Sequence, residues 1–247
     1  MPDPLRLAIN GADGRMGRAL QHLLRDDARF QLVATIVASG EWRAAPKLDL
    51  VIDFSSAAGF DAALAHCVAH RIALVSGTTG LERPQRDALT ESARTIPVLH
   101  AANFSLGIAV LTRALREAAA TLPDWNLEIV EAHHARKLDA PSGTALALGR
   151  AAAEARNKEF DEVAVLSREG QVGTRREGAI GFASIRAGDI VGEHTAILAT
   201  AGERLELSHR ATDRSIFARG ALRAAAWLAG KPPGSYSLAD VLGVRGS

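Results

Sequence analysis

Residues 7–17 read LAINGADGRMG, a short apolar run that leads directly into glycines at positions 11, 14 and 17. Such a run is typical of a buried β-strand, and the glycines allow the chain to turn tightly into a helix. They also let the backbone approach a pyrophosphate, whose charge then faces the helix N-terminus. The spacing is looser than the commoner dinucleotide fingerprint, but its place after the first predicted strand favours nucleotide binding over a plain glycine-rich turn.

The first hundred residues continue this alternation of apolar runs and amphipathic stretches. The runs are rich in Val, Ile and Leu without polar alternation, as expected of parallel strands that helices cover on both faces. The sequence therefore predicts a Rossmann-like, doubly wound parallel sheet, with its chemistry in the loops at the carboxyl ends of the strands. Strands are expected at 6–10, 32–37, 50–54, 72–76 and 98–101, and helices at 14–26, 59–70 and 84–94.

The pattern changes from about residue 162 to residue 209, and a second domain is expected to begin near residue 105. Residues 191–197 and 205–209 alternate apolar and polar side chains between glycine-rich turns, which indicates an antiparallel sheet with one open or subunit-facing side. An Ala/Leu-rich helix at 215–230 is expected to return to the first sheet. We therefore predict two domains, a dinucleotide-binding domain at 1–104 and 215–247 and an α+β domain with a mainly antiparallel sheet at 105–214. The second domain should also contain helices at 106–121 and 144–157 and a strand at 127–132.

Composition and charge narrow the class of function. The chain has 247 residues, is 47% hydrophobic and carries a formal net charge of +1, with basic residues dispersed among acidic ones. Nucleic acids and anionic membranes require a basic face, so small molecules are the expected partners. No apolar run approaches the roughly 20 residues of a membrane span. The single Cys67 excludes an intrachain disulfide, and residues 1–4 do not suggest a signal peptide, so we expect a cytoplasmic protein.

Residues 131–144 read EAHHARKLDAPSGT and place acid/base side chains beside a predicted anion-binding turn. Two imidazoles and an ammonium can transfer protons near neutral pH. Pro-Ser-Gly-Thr opens an Ala/Leu-rich segment, which is typical of a helix N-terminus with free backbone N–H groups. Ser142, Gly143 and Thr144 are therefore expected to hold a carboxylate. The predicted ligand is a small anion that also receives a proton.

Lys137 has the chemistry of a general acid. A cation that can also release a proton stabilises developing negative charge and then neutralises it. His133 and His134 are adjacent on a predicted strand, so their rings should point to opposite sides, and the residues leave open which one acts on substrate. Asp139 is interpreted as a structural residue, either at the helix start or paired with Lys137. Arg214 is a candidate for a second carboxylate.

The residues do not choose between NADH and NADPH. A dinucleotide site usually has an acidic or basic residue at the end of its second strand, but residues 37–39 include neither. Arg15 and Arg43 are candidates for a 2′-phosphate, and Glu41 is a candidate for a free 2′-hydroxyl. The loops at 77–80 and 101–105 suit the nicotinamide end of a cofactor, although ordinary turn chemistry explains each loop equally well.

Three other functions are less consistent with the residues. Adjacent histidines on a strand do not easily converge on one ion, which argues against a metal site formed by Glu131, the two histidines and His194. Cys67 falls inside a predicted helix, which argues against a thiol-dependent dehydrogenase. A non-catalytic NAD(P)H-binding regulator is the main alternative, but a regulator needs no proton donor beside an anion-binding turn.

Taken together, these residues resemble the 4-hydroxy-tetrahydrodipicolinate (dihydrodipicolinate) reductase family over nearly the whole chain. The resemblance rests on 11–17, 77–80, 103–105, 131–144 and 188–195, of which 131–144 is the most specific. It implies hydride transfer from NADH or NADPH to a cyclic, doubly carboxylated imine in diaminopimelate and lysine biosynthesis. It also implies a homotetramer that associates through the sheet of the second, substrate-binding domain.

The resemblance also implies roles for individual residues. His133 matches the acid/base histidine, and Lys137 matches the proton donor. His134, Gly143 and Thr144 match substrate contacts. No metal is expected in the site. The chain departs from the family at 38–48, which is short, and at Ser55-Ser56, where Thr-Arg is more common. The residues that match cofactor-binding segments are Gly11, Ala12, Asp13, Gly14, Arg15, Met16, Gly77, Thr78, Thr79, Ala101, Ala102, Asn103 and Phe104.

Overall fold

The chain forms two units, one of which is assembled from two separated segments. The first comprises Met1–Leu106 and Ser215–Ser247, and the second comprises Gly107–Arg214. The computed structural model describes residues 3–37, 42 and 47–243. In chain order, these form β1 (Leu5–Asn10), α1 (Arg15–Leu24), β2 (Phe30–Ile36), β3 (Leu50–Asp53), α2 (Ala57–His70), β4 (Ala73–Ser76), α3 (Arg83–Ser92), β5 (Pro97–His100), α4 (Leu106–Thr121), β6 (Asn126–His133), α5 (Gly143–Ala155), α6 (Phe160–Val163), β7 (Ala164–Val165), β8 (Ile180–Arg186), β9 (Gly192–Thr200), β10 (Glu203–Ala211), α7 (Ser215–Leu228), β11 (Gly234–Tyr236) and α8 (Leu238–Val241).

The first unit is built on a parallel sheet in the order β11-β5-β4-β3-β1-β2. On one face of the sheet, a row of side chains that includes Val51 and Leu74 packs with Phe60 and Leu64 of α2 to form a core. The alternate positions point to the opposite face, and α7 packs against β3, β4 and β5. The doubly wound architecture is confirmed, and the predicted elements of the first hundred residues are displaced by at most two residues at either end.

The C-terminal segment packs against this sheet and adds a strand to it. The helix expected at 215–230 is α7. The sequence did not predict β11, which has only three residues and follows Pro232-Pro233. Gly234 pairs with Pro97 and Tyr236 with Leu99, so that β11 forms a parallel edge strand directly after the two prolines.

The second unit contains a sheet in the order β10-β9-β6-β8-β7. The predicted antiparallel pairing holds for β9, which pairs with both β6 and β10, but β8 runs parallel to β6 and β7. The sheet is therefore mixed. Its parallel part arises because α5 crosses over between β6 and the following strands, and such a crossover returns the chain to the same end of a sheet.

One face of the second sheet forms the core of its unit. Leu127, Ile129 and Leu198 of the sheet pack with Leu115 of α4 and Leu148 of α5. The alternate residues, represented by Val130 and Thr195, lie on the other face and are only half-buried. In the part of the chain that the structure describes, none of the helices has the length and apolar character needed to cross a bilayer.

Candidate active site

The β1–α1 turn has the close-packed form that a pyrophosphate site requires. Gly11 has a φ of +78°, a conformation that favours glycine. A Cβ on Gly17 would lie 2.3 Å from the Gly11 carbonyl oxygen and 2.5 Å from the Ala12 Cα, so only glycine fits there. α1 begins after Gly14 without a side-chain cap. The first N–H groups of α1 therefore remain suited to an anion.

A cavity of about 350 Å³ adjoins this turn. Gly11 and Gly14 line one part of it, while Val37, Trp42 and Ser56 line another. Asp13 and Arg15 are exposed, and Met16 is half-buried. The candidate 2′-group readers Glu41 and Arg43 lie outside the described residues. The glycine turn and the cavity beside it fit a dinucleotide, and they do not distinguish NADH from NADPH.

A buried carboxylate organises the strand ends beside this cavity. Asn10, Asp53 and Ser76 are the last residues of β1, β3 and β4 and are neighbours in register. Asp53 accepts hydrogen bonds from Asn10 Nδ2 at 2.8 Å, Ser76 Oγ at 2.7 Å, Thr78 Oγ1 at 2.7 Å and Ser55 Oγ at 2.5 Å. This network was not predicted from the sequence, and it fixes three loops of the first unit to one side chain.

The other predicted cofactor segments follow β4 and β5. Thr78 is buried and its hydroxyl is bonded to Asp53, whereas Thr79 is exposed. After β5, Ala101 and Asn103 are half-buried and Ala102 is exposed. Phe104 is buried, and its ring lies edge-on to Phe54 at 5.4 Å. The structure thus places Gly77, Thr79 and 101–103 at the carboxyl edge of the sheet, while the Thr78 and Phe104 side chains support the loops.

In the second unit, the candidate substrate residues gather around the end of β6. His133 is the last residue of β6, and its Nδ1 lies 2.5 Å from Glu131 Oε2. Lys137 follows in the next loop, and its Nζ donates to Asp139 Oδ1 at 2.7 Å. The ion-pair interpretation of Asp139 therefore agrees with the structure. Arg214 and Arg136 lie close enough to His134 to act on its pKa, which burial and then these two cations lower.

The predicted anion turn opens α5. Ser142 is buried and caps the helix, since its Oγ accepts from Ala145 N at 3.2 Å. The same Oγ lies 3.1 Å from Nε2 of the buried His194. Gly143 is exposed, and a Cβ there would meet no atom within 4 Å. The Ser142 hydroxyl thus faces the protein interior, and the helix presents its N-terminus to solvent at Gly143.

Two family profiles match the chain. The C-terminal region of dihydrodipicolinate reductase matches residues 107–242, and the N-terminal region matches residues 5–104. This chain belongs to the dihydrodipicolinate reductase family. Similar curated proteins, named 4-hydroxy-tetrahydrodipicolinate reductase, occur in Xanthomonas campestris pv. campestris (strain B100) and Xanthomonas axonopodis pv. citri (strain 306). The first is 46% identical over 97% of this chain and 98% of its own length, and the second is 46% identical over 96% and 98%.

A solved reductase has the same fold. The dipicolinate-bound dihydrodipicolinate reductase from Paenisporosarcina sp. TG-14 superposes with a TM-score of 0.77 at 22% identity, covering 95% of this chain and 97% of that one. The predicted family and fold class are thereby confirmed, and the chain is an oxidoreductase of this family.

Glu131, within residues 131–144, and Arg186 form an ion pair that was not predicted from the sequence. Glu131 is fully buried, and Arg186 donates to both of its carboxylate oxygens, at 2.9 and 2.7 Å. Burial alone would raise the pKa of Glu131, but hydrogen bonds from Arg186, Ser184 and His133 outweigh it and lower the pKa to about 2.

Among the described residues, no group of three or more His, Cys, Asp or Glu side chains is arranged to hold a metal.

We expect the reductase to lose stability as the pH falls from about 6.5 to about 4 because of His194. Burial, with the neighbouring His133, lowers the pKa of His194 from 6.5 to about 4. Between these values the unfolded chain binds a proton that the folded chain does not, so acid favours unfolding, by up to about 3 kcal/mol. The measurement is the free energy of unfolding at pH 7.5 and pH 4.5.

His194→Gln should reduce this pH dependence, whereas His22→Gln should not, because His22 is exposed. Equal pH dependence in the wild type and the His194→Gln variant would contradict the assignment.

Proposed function

We propose that this chain reduces 4-hydroxy-tetrahydrodipicolinate to tetrahydrodipicolinate with NADH or NADPH, in diaminopimelate and lysine biosynthesis. The observation that supports this most strongly is the grouping of an acid/base histidine, a lysine and an open helix N-terminus around the end of β6. The curated relatives at 46% identity carry the name of this activity.

In this proposal the dianionic substrate binds to the cationic end of β6. Gly143 and Thr144 lie at the N-terminus of α5, where the helix dipole and backbone N–H groups favour one carboxylate. His134 and Arg214 supply a polar side chain and a cation for the rest of the substrate. Ser142 acts indirectly, because its hydroxyl caps α5 and is hydrogen-bonded to the imidazole of His194.

Lys137 is the proposed proton donor. When bound, the nicotinamide cofactor supplies the hydride. The Lys137 ammonium stabilises the negative charge that then develops on the substrate and donates its proton to the atom that carries this charge. Asp139 holds Nζ at 2.7 Å and so restrains the lysine on its loop. His133 is the second acid/base group, with Nδ1 bonded to Glu131.

Residues 1–104 and 215–247, which lie within the first unit, are the proposed cofactor domain, and residues 105–214 are the proposed substrate and oligomerisation domain. Gly11–Met16 would hold the pyrophosphate, and Gly77–Thr79 and Ala101–Phe104 would face the nicotinamide end. The exclusion of any side chain at Gly17 supports this placement. We expect the protein to act in a reducing compartment, the cytoplasm, since its one cysteine is free and buried.

The test is a direct assay of the purified protein with freshly generated substrate and either cofactor, followed by the loss of nicotinamide absorbance. Turnover supports the reductase. Binding of NADH or NADPH without turnover would overturn it in favour of a non-catalytic regulator. The ratio of kcat/KM for the two cofactors gives the cofactor preference.

We further propose that the protein is a homotetramer that associates through the open face of the second sheet. Ser208, Thr195, Val130 and Ala183 are neighbours in register and form a row of small side chains across that face. Ile185 of β8 is 49% exposed. This row of small side chains, with the exposed Ile185 on the same face, is suited to pairing with a second copy.

Ile185→Arg is expected to reduce the particle mass measured by light scattering to that of a dimer or monomer. The subunit should tolerate the change because the side chain is already half exposed. Val110→Arg is the matched control, since Val110 is 54% exposed on α4. A wild-type monomer, or a tetramer unaffected by Ile185→Arg, would contradict the proposed interface.

A further inference from the structure

We propose that Glu131, held by Arg186, is a positioning residue that fixes the tautomer and orientation of His133 and joins it to the start of α5. The inference rests on the proposed function for the importance of His133, and it adds two residues to that site. Neither residue was assigned a role from the sequence.

The geometry at Glu131 assigns a different task to each carboxylate oxygen. Oε2 is 2.5 Å from His133 Nδ1 and accepts from Arg186 Nη1 at 2.9 Å. Oε1 accepts from Arg186 Nη2 at 2.7 Å and from the backbone N–H of Ser142 at 3.2 Å. One buried side chain therefore contacts both the acid/base histidine and the N-cap of the anion-binding helix.

This arrangement determines the tautomer of His133. An ionised carboxylate only accepts hydrogen bonds, so the proton of the neutral imidazole must lie on Nδ1. Nε2 is then left as the atom that exchanges a proton with substrate or solvent. A Cβ on Gly192 would lie 3.1 Å from Nε2, so a glycine at the start of β9 keeps the space beside this atom open.

Arg186 is what keeps the buried carboxylate charged. It lies directly opposite His133 in the parallel β6–β8 pairing. A buried carboxylate without a partner would cost several kcal/mol, and the bidentate guanidinium removes that cost. Arg186 Nη2 also donates to the Asp139 carbonyl at 2.5 Å. The same guanidinium thus restrains the loop that carries Lys137.

Glu131→Gln is the decisive variant, because glutamine has nearly the same shape. Its amide keeps one oxygen for Ser142 and Arg186 but presents an NH₂ group towards His133. We expect the His133 proton to move from Nδ1 to Nε2, which ¹⁵N chemical shifts of labelled histidine report directly. We also expect kcat to fall by about 100-fold, the contribution of one acid/base group, with little change in the KM of the cofactor.

Glu128→Gln is the matched control. Glu128 is another carboxylate of β6 and is also held by arginines, Arg168 at 2.7 Å and Arg175 at 3.1 Å. This variant removes the same charge from the same strand without touching His133. The His133 tautomer and kcat should stay as in the wild type.

Arg186→Lys provides a second test that does not depend on the folding of the Glu131 variant. The charged or titratable groups that face Glu131 are Arg186 from β8, His133 on β6 itself and His194 from β9. Lysine keeps the cation but loses the bidentate contact. The pKa of Glu131 should therefore rise. In a plot of kcat against pH, the acid limb should move to higher pH. Near neutral pH, His133 should still carry its proton on Nδ1.

A wild-type His133 protonated on Nε2, or an unchanged tautomer in Glu131→Gln, would overturn the proposal. So would an Arg186→Lys acid limb identical to that of the wild type. The spectra are recorded without substrate turnover. A wild-type protein with the Nδ1–H tautomer but no reductase activity would therefore contradict the proposed function and leave the positioning role intact.

Discussion

Replacement of Lys137 by alanine is expected to lower kcat by at least ~100-fold while the protein stays folded. Lys137 lies in the loop after β6, and its ammonium group pairs at 2.7 Å with the exposed carboxylate of Asp139. Its loss should remove both the stabilising charge and the transferable proton. Steady-state kinetics gives kcat, and thermal unfolding verifies the fold.

Two further variants separate the charge of Lys137 from its proton. Lys137→Arg keeps a cation that does not release a proton at neutral pH. It should retain substrate binding, seen as an unchanged KM, but not kcat. Lys158→Ala removes an exposed lysine of the same unit and should leave kcat as it is. A Lys137→Ala enzyme with wild-type kcat would refute the proton-donor role.

Gly17→Ala is expected to weaken NADH and NADPH binding by about 100-fold. The new methyl group would meet backbone atoms at 2.3 and 2.5 Å, and backbone cannot move aside as a side chain can. The turn relieves this clash by shifting, and to bind the pyrophosphate it must return to its original form against up to about 3 kcal/mol of strain, which corresponds to two decades of affinity. Titration of nicotinamide fluorescence measures the dissociation constant.

The same substitution elsewhere in the first unit provides the control for Gly17→Ala. The three atoms nearest to a Cβ on Gly234 would all belong to the Tyr236 side chain, at 3.3 Å. Because this ring lies on an edge strand and can shift, Gly234→Ala should bind both cofactors like the wild type. Circular dichroism separates a distorted turn from an unfolded unit. Wild-type affinity in Gly17→Ala would remove the β1–α1 turn from the cofactor site.

The sequence predicted those parts of the fold that local patterns determine. Uninterrupted apolar strands indicated a doubly covered parallel sheet, since Val51 and Ile52 are both fully buried. Strand direction in the second sheet was not predictable in this way. The alternation of apolar and polar residues indicates which face of a strand is exposed, but not which neighbouring strand it pairs with. β11 has only three residues and so has no periodicity to detect.

The candidate site shows the same division. Residues 131–144 could be recognised because the side chains that carry the chemistry lie close together in the sequence. The contribution of Arg186 could not be recognised, since it is 55 residues from Glu131 and meets it only through the pairing of β6 with β8. Asp53 was missed for a similar reason, because its donors come from β1, β4 and the loops that follow β3 and β4.

The split composition of the first unit has a consequence for the order in which the chain folds during synthesis. Ribosomes complete residues 107–214 before α7 and β11 exist, so the second unit has all its strands while the first still lacks its last helix and edge strand. Until the residues from Ser215 onward have emerged, α7 cannot cover the face of the first sheet that includes Ile52 and Val75. The nascent chain therefore carries an apolar sheet face for the whole time that the second unit is being made, and that interval is its period of greatest exposure to aggregation.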